Sequence, residues 1–146
     1  MKKRKISIST IILIIVFLVG LSVMLYPAVS DYWNSKTQSH AIAEYDEILN
    51  NMDDKQYQKL LSEAEDYNER LKSLYSPLEN YSEIEGYENA LDVTGTGIMG
   101  YVTIPEISVE LPIYHGTSDE VLNVAVGHVQ GSTLPIGGKS THSVIS

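Results

Sequence analysis

Four histidines, His40, His115, His128 and His142, are the side chains in this 146-residue chain best suited to moving protons near neutral pH. There is no cysteine, so the chain holds no thiol nucleophile, and disulfides say nothing of its redox compartment. A metal site at His115, His128 and His142 would need a converging carboxylate, and the sequence specifies none. Packed or hydrogen-bonded loop histidines are expected instead, with neither metal nor cofactor. Hydroxyl nucleophiles fare no better. Gly131-Ser132 and Gly138-Lys139-Ser140 lack the Gly-x-Ser-x-Gly elbow. Gly137-Gly138-Lys139-Ser140 has the ending of a phosphate-binding loop, but the upstream glycine, Gly131, comes too early and the strand–loop–helix context is missing. On a strand, His142 would face away from Thr141 and Ser143. Ser140 would share its side, but no third group is available to orient that pair. These residues alone assign no catalytic, cofactor-binding or metal-binding position.

The elements around them are readable. Residues 99–104 have the aromatic and β-branched content of a strand that Pro105 ends. Residues 109–114 alternate in the period of a half-buried strand, and Pro112 implies an edge strand or a bulge. Thr117-Ser118-Asp119-Glu120 has capping-box spacing, so a short helix is expected over 118–126 with Gly127 as its left-handed stop. A Gly/Pro/Ser loop covers 131–140, and residues 141–145 read as another strand.

Upstream, residues 6–26 contain no charge and are long enough to cross a bilayer as a helix. The basic tail at 1–5 predicts a cytoplasmic start and an external body. An uncleaved anchor is favoured over a signal peptide cut after Ser30, because the apolar run is long. Tyr26, Tyr32 and Trp33 fit an aromatic belt at the outer interface. Residues 35–75 read as a helical appendage. Ala41, Tyr45, Ile48, Leu49 and Met52 form one stripe; Tyr57, Leu60, Leu61, Ala64, Tyr67, Leu71 and Leu74 form another; Asp53-Asp54 offers a cap between them. The two stripes predict a hairpin or one kinked helix. Residues 76–96 are polar and rich in turn formers. Beyond Pro27 there are six basic and 19 acidic residues, which argues against nucleic acid as a partner.

Gly100-Tyr-Val-Thr-Ile-Pro-Glu-Ile, Leu111-Pro-Ile-Tyr-His-Gly-Thr, Val126-Gly-His and Leu134-Pro-Ile-Gly-Gly-x-Ser-Thr-His-Ser-Val-Ile occur in that order. Together they resemble the opening of the catalytic barrel in class C sortases, the pilin-polymerising kind. The resemblance implies an α+β chain: a transmembrane helix, a helical appendage, then at 97–146 the first strands of a closed sortase β-barrel, incomplete here. It implies a cysteine transpeptidase that cleaves a Leu-Pro-x-Thr-Gly-like sorting signal and joins pilin subunits or surface proteins. The family's catalytic His, Cys and Arg are expected beyond Ser146. His142 falls before the family's His, and His128 matches a position that is not catalytic. The chain alone is expected to be inactive, and 97–146 expressed alone is expected to be aggregated or molten. The resemblance also places a lid at 76–96 that carries an Asp-Pro-aromatic motif. Ser76-Pro77-Leu78 is the nearest match and lacks both flanking residues, so a plain linker competes with a lid, and Tyr81 or Tyr87 would be the plug. The alternative function is a membrane-tethered extracytoplasmic binding or regulatory module without catalysis.

Overall fold

The computed structural model describes residues 7–146, so the expected basic tail at 1–5 and the first residue of the expected span lie outside the described residues. The chain divides into two compact units, Met1–Lys36 and Thr37–Ser146.

Helix α1 (Ile8–Asn51) begins with a stretch long and apolar enough to cross a membrane. Ile12, Phe17, Leu18 and Val23 are all exposed, and apolar residues face every side of this stretch. The Ser22 hydroxyl donates to the Leu18 carbonyl at 2.8 Å, so this polar group is satisfied within the helix. The Lys36 ammonium lies 5.6 Å from the Tyr32 ring centre. The sequence predicted separate helical stretches at 6–26 and from 35; the structure runs a single helix through Pro27. Proline removes one backbone donor, and the turns on either side keep their own bonds.

In the second unit, α1 buries Ile42 and Tyr45, and the Tyr45 hydroxyl donates to the Met99 carbonyl at 3.0 Å. Burial is the main reason that this phenol is pushed up to about 12. Helix α2 (Asp54–Ser73) starts at a full capping box. The Gln56 amide donates to the Asp53 carboxylate at 2.7 Å, and the Gln56 side-chain oxygen accepts from the Asp53 amide at 3.3 Å. Ala64, Tyr67 and Leu71 of the expected stripe are buried, while Tyr57 in the first turn is 44% exposed. Residues 76–96 are more ordered than their composition suggested: helix α3 (Pro77–Asn80) is followed by 3-10 turns at Tyr81–Glu83 and Tyr87–Asn89.

Strands β1 (Ile98–Ile104), β2 (Val109–His115) and β3 (Val126–His128) form an open sheet in the order β1-β2-β3. The β1–β2 pair is antiparallel, with an irregularity between Ile98 and Gly100; β2–β3 is parallel. No closed barrel forms among the described residues. The sequence predicts an edge strand or a bulge at Pro112; the residue lies in the central strand, and the pairing irregularity falls nearby, between the Ile98–Tyr114 and Gly100–Ile113 pairs. The parallel pairing begins only at Ile113–Val126, so Pro112 has a strand neighbour on one side alone, Tyr101 of β1. Tyr67, Leu71, Tyr87, Leu91, Met99, Ile113 and Leu134 pack as the core between α2 and the sheet.

Three readings at the C-terminal end are corrected. The helix there is only α4 (Asp119–Leu122), capped at Ser118 rather than Thr117 and without a side-chain cap bond. Gly127 does not stop it; it is the middle residue of β3, in extended backbone. A Cβ there would meet the Gly116 carbonyl oxygen at 2.3 Å, so close approach between strands, not backbone freedom, demands glycine. Residues 141–145 are not a regular strand over that whole range, but the end of the segment does pair antiparallel with β3: Ile145 bridges His128, Gly127 and Ser146 exchange amide–carbonyl bonds at 3.0 and 2.9 Å, and the Val129 amide donates to the Val144 carbonyl at 2.9 Å. The Val144 and His142 amides donate to the hydroxyls of Ser132 (3.1 Å) and Thr133 (2.8 Å), and the Thr133 amide donates to the His142 carbonyl at 3.1 Å.

Candidate functional site

The chemistry-bearing side chains that converge do so where β2 and β3 end. Strand β3 carries His128 into the interior at 0% exposure, and the turn after it returns Ser132 and Thr133 to the same ring. Tyr87 arrives from the 3-10 turn after Gly86, whose φ of 99° lets the chain reverse there. The Tyr87 hydroxyl lies 2.9 Å from His128 Nδ1 and 3.0 Å from the His128 carbonyl, and accepts the Gly116 amide at 2.9 Å. Its ring stands edge-on to His115 at 5.1 Å and tilted against Tyr67 at 6.1 Å.

The hydrogen bonds fix the proton on His128. Nε2 faces the Thr133 carbonyl at 3.0 Å, and a carbonyl can only accept, so Nε2 carries the hydrogen. Nδ1 therefore presents its lone pair to the Tyr87 hydroxyl. Burial holds the imidazole below its ordinary value, assisted by the charge of His115 and opposed by the Thr133 carbonyl. Burial likewise pushes the Tyr87 phenol up to about 12, against the pull of the Gly116 amide and with the help of Glu88. Both groups are thus neutral at pH 7.

Ser132 Oγ is 3.2 Å from His128 Nε2, which on distance alone resembles a nucleophile–base pair. The proton bookkeeping excludes it. Ser132 donates its own hydrogen to the Val129 carbonyl at 2.7 Å and receives the Val144 amide, while Nε2 has no lone pair to offer. The arrangement orders the chain; it does not activate an oxygen.

The remaining candidates stand apart. His115 has its ring nitrogens 2.8 Å from the Gly97 and Ala90 carbonyls, which ties β2 to the segment before β1. That segment is shaped by Asp92. Burial would raise its carboxyl, but amides of Gly97, Gly95 and Thr94 and the Thr94 hydroxyl outweigh this and hold it below the usual range. His40 lies on α1 and His142 is exposed beyond the loop. The Thr141 hydroxyl donates to Gly138 O, and Ser143 Oγ is enclosed without a hydrogen-bond partner. Among the described residues, no three His, Asp or Glu side chains converge as a metal site. A cavity of about 480 Å³ opens between α2 and the Gly-rich loop, lined by Glu65, Asn68, Lys72, Gly138, Lys139 and Thr141. Sequence reasoning named Tyr87 only as a possible plug and missed Ser132 and Thr133, whose roles depend on contacts invisible in local pattern.

No family model and no curated protein sequence matches this chain. Solved structures do. Sortase C1 from Streptococcus agalactiae is 39% identical, with a TM-score of 0.61, over 73% of this chain and 55% of that one. Sortase C of Streptococcus pneumoniae is 36% identical, with a TM-score of 0.60, over 73% of this chain and 54% of that one. Sortase C from Clostridium perfringens is 32% identical, with a TM-score of 0.55, over 73% and 56%. The chain spans about half the length of these relatives. In sequence and fold, the chain belongs with the class C sortases.

Proposed function

We propose that this chain serves in a membrane-anchored class C sortase, a cysteine transpeptidase that cleaves a Leu-Pro-x-Thr-Gly-like sorting signal and joins pilin subunits or surface proteins. The observation that carries this is the 39% identity to sortase C1, which accompanies agreement in fold. Pilin substrate specificity is described for the Streptococcus pneumoniae sortase C, and by analogy pilins or surface proteins are the substrates here. The apolar start of α1 is the anchor, single-pass, with the body outside the cell. The open sheet is the first portion of a sortase-type barrel.

These residues contribute scaffold rather than catalysis. Thioacyl transfer needs a thiolate, and the chain has no cysteine. The contact between Ser132 and His128 is directed the wrong way for base catalysis. The full chain, purified in detergent, should therefore leave a fluorogenic Leu-Pro-x-Thr-Gly peptide uncut. Turnover above background, abolished by His128→Gln or Ser132→Ala, would overturn this reading.

A further inference from the structure

The turn after β3 and residues 142–146 pair in an interrupted ladder. Gly127 and Ser146 exchange both backbone bonds, and the Val129 amide donates to the Val144 carbonyl at 2.9 Å. An ordinary antiparallel ladder would return a bond from the Val144 amide to the Val129 carbonyl. Here that carbonyl accepts the Ser132 amide at 3.1 Å and the Ser132 hydroxyl at 2.7 Å, while the Val144 amide donates to the same hydroxyl at 3.1 Å. Ser132 Oγ is thus inserted into the missing rung, receiving from one strand and donating to the other. It also faces the Nε2 hydrogen of His128 at 3.2 Å, so its one hydrogen and both lone pairs are engaged. Beyond it, the Thr133 amide donates to the His142 carbonyl at 3.1 Å, and the His142 amide donates to the Thr133 hydroxyl at 2.8 Å. Between these contacts one side advances from 129 to 133 while the other advances only from 142 to 144. The offset is a bulge, and the two hydroxyls carry the pairing across it. Ser132 and Thr133 are both buried, so water does not compete for these bonds.

We propose that Ser132 and Thr133 are positioning residues: their hydroxyls set the register of residues 142–146 against β3, and so the direction in which the chain reaches Ser146. A side chain without a hydroxyl leaves the Val144 or His142 amide without its acceptor. Register matters here because side chains alternate along a strand, and a slip of one residue turns every side chain of 142–146 to the other face. The clamp is read from geometry alone; that it aims catalytic groups rests on the function proposed above, in which the reacting side chains follow Ser146.

Amide hydrogen exchange of the full chain in detergent micelles, read residue by residue by nuclear magnetic resonance, tests the clamp. The reporters are the Gly127 and Val129 amides, whose acceptors are the Ser146 and Val144 carbonyls and not the mutated hydroxyls. Ser132→Ala and Thr133→Val should each speed their exchange by about tenfold and change β1 by less than about twofold. Thr133→Ser, which keeps the hydroxyl, should stay within about twofold of the parent throughout. The same variants are then placed in a fusion of the chain to the part of Streptococcus agalactiae sortase C1 that it leaves unmatched. Each variant lacking the hydroxyl should lower kcat on a fluorogenic Leu-Pro-x-Thr-Gly peptide by at least about tenfold with KM changed less than about twofold, and Thr133→Ser should retain kcat. The proposal fails if Gly127 and Val129 keep their exchange rates, if every element accelerates alike, or if a cleaving fusion keeps its kcat in Ser132→Ala and Thr133→Val. A parent fusion that leaves the peptide uncut counts against the sortase assignment, and the exchange rates still decide the clamp.

Discussion

The Tyr87 hydroxyl sits 2.9 Å from His128 Nδ1 across a sequence separation of 41 residues, and the same oxygen accepts the Gly116 amide. One atom thereby joins the turn after Gly86 to the ends of two parallel strands. Tyr87→Phe removes that atom and leaves the Gly116 donor and the His128 acceptor without it. The expected cost is about 1–3 kcal/mol, the penalty for unsatisfied buried polar groups. Thermal unfolding followed by near-ultraviolet circular dichroism checks it, and an unchanged midpoint would contradict the role.

Gly127→Ala should be worse tolerated than most glycine replacements in a strand. Its Cβ would meet the Gly116 carbonyl oxygen at 2.3 Å, and that atom is backbone, unable to swing away. Overpacking of this kind costs about 1–3 kcal/mol. The loss should appear as a lower thermal midpoint together with shifted amide resonances in β2 and β3. Gly100→Ala, where a Cβ meets nothing within 4 Å, is the matched control and should change little.

Acid should destabilise the fold through His128. Its folded pKa lies below its unfolded value, chiefly because of burial, so the folded state binds fewer protons. The stabilisation is complete above the unfolded value of about 6.5 and is lost as pH falls from there through the folded pKa. Between pH 7.5 and 5, the thermal midpoint of the native chain should drop more than that of His128→Gln. Parallel curves would show that His128 is not the group responsible.

For topology, protease added to intact protoplasts should digest the body beyond about Trp33. The basic tail at 1–5, placed before the uncharged stretch at 6–26, sets this orientation. Full protection of the body would reverse the orientation.

Much of this fold could be read locally. Strands β1 and β2, the Pro105 stop and the Asp53 cap each depend on a few adjacent residues, and each occurs as expected. What escaped was non-local. Strand β3 is three residues long and contains a glycine, so neither period nor propensity marks it; only its pairing with β2 defines it. Gly127 looked like a helix stop because sequence cannot reveal the carbonyl opposite it. Residues 141–145 carry a strand's composition, and their end pairs with β3 through backbone bonds, but the His142 and Val144 amides go to the Thr133 and Ser132 hydroxyls, which local pattern does not reveal. The resemblance to sortases was legible in motif order, whereas the Tyr87–His128 contact was not.

The central claim is that this chain supplies the scaffold portion of a class C sortase. It is tested most directly by fusing the chain to the part of Streptococcus agalactiae sortase C1 that it leaves unmatched. Cleavage of a fluorogenic Leu-Pro-x-Thr-Gly peptide is then measured for the fusion and for each part alone. The account predicts cleavage by the fusion only. A fusion that unfolds cooperatively, and so is folded, but leaves the peptide uncut would contradict it.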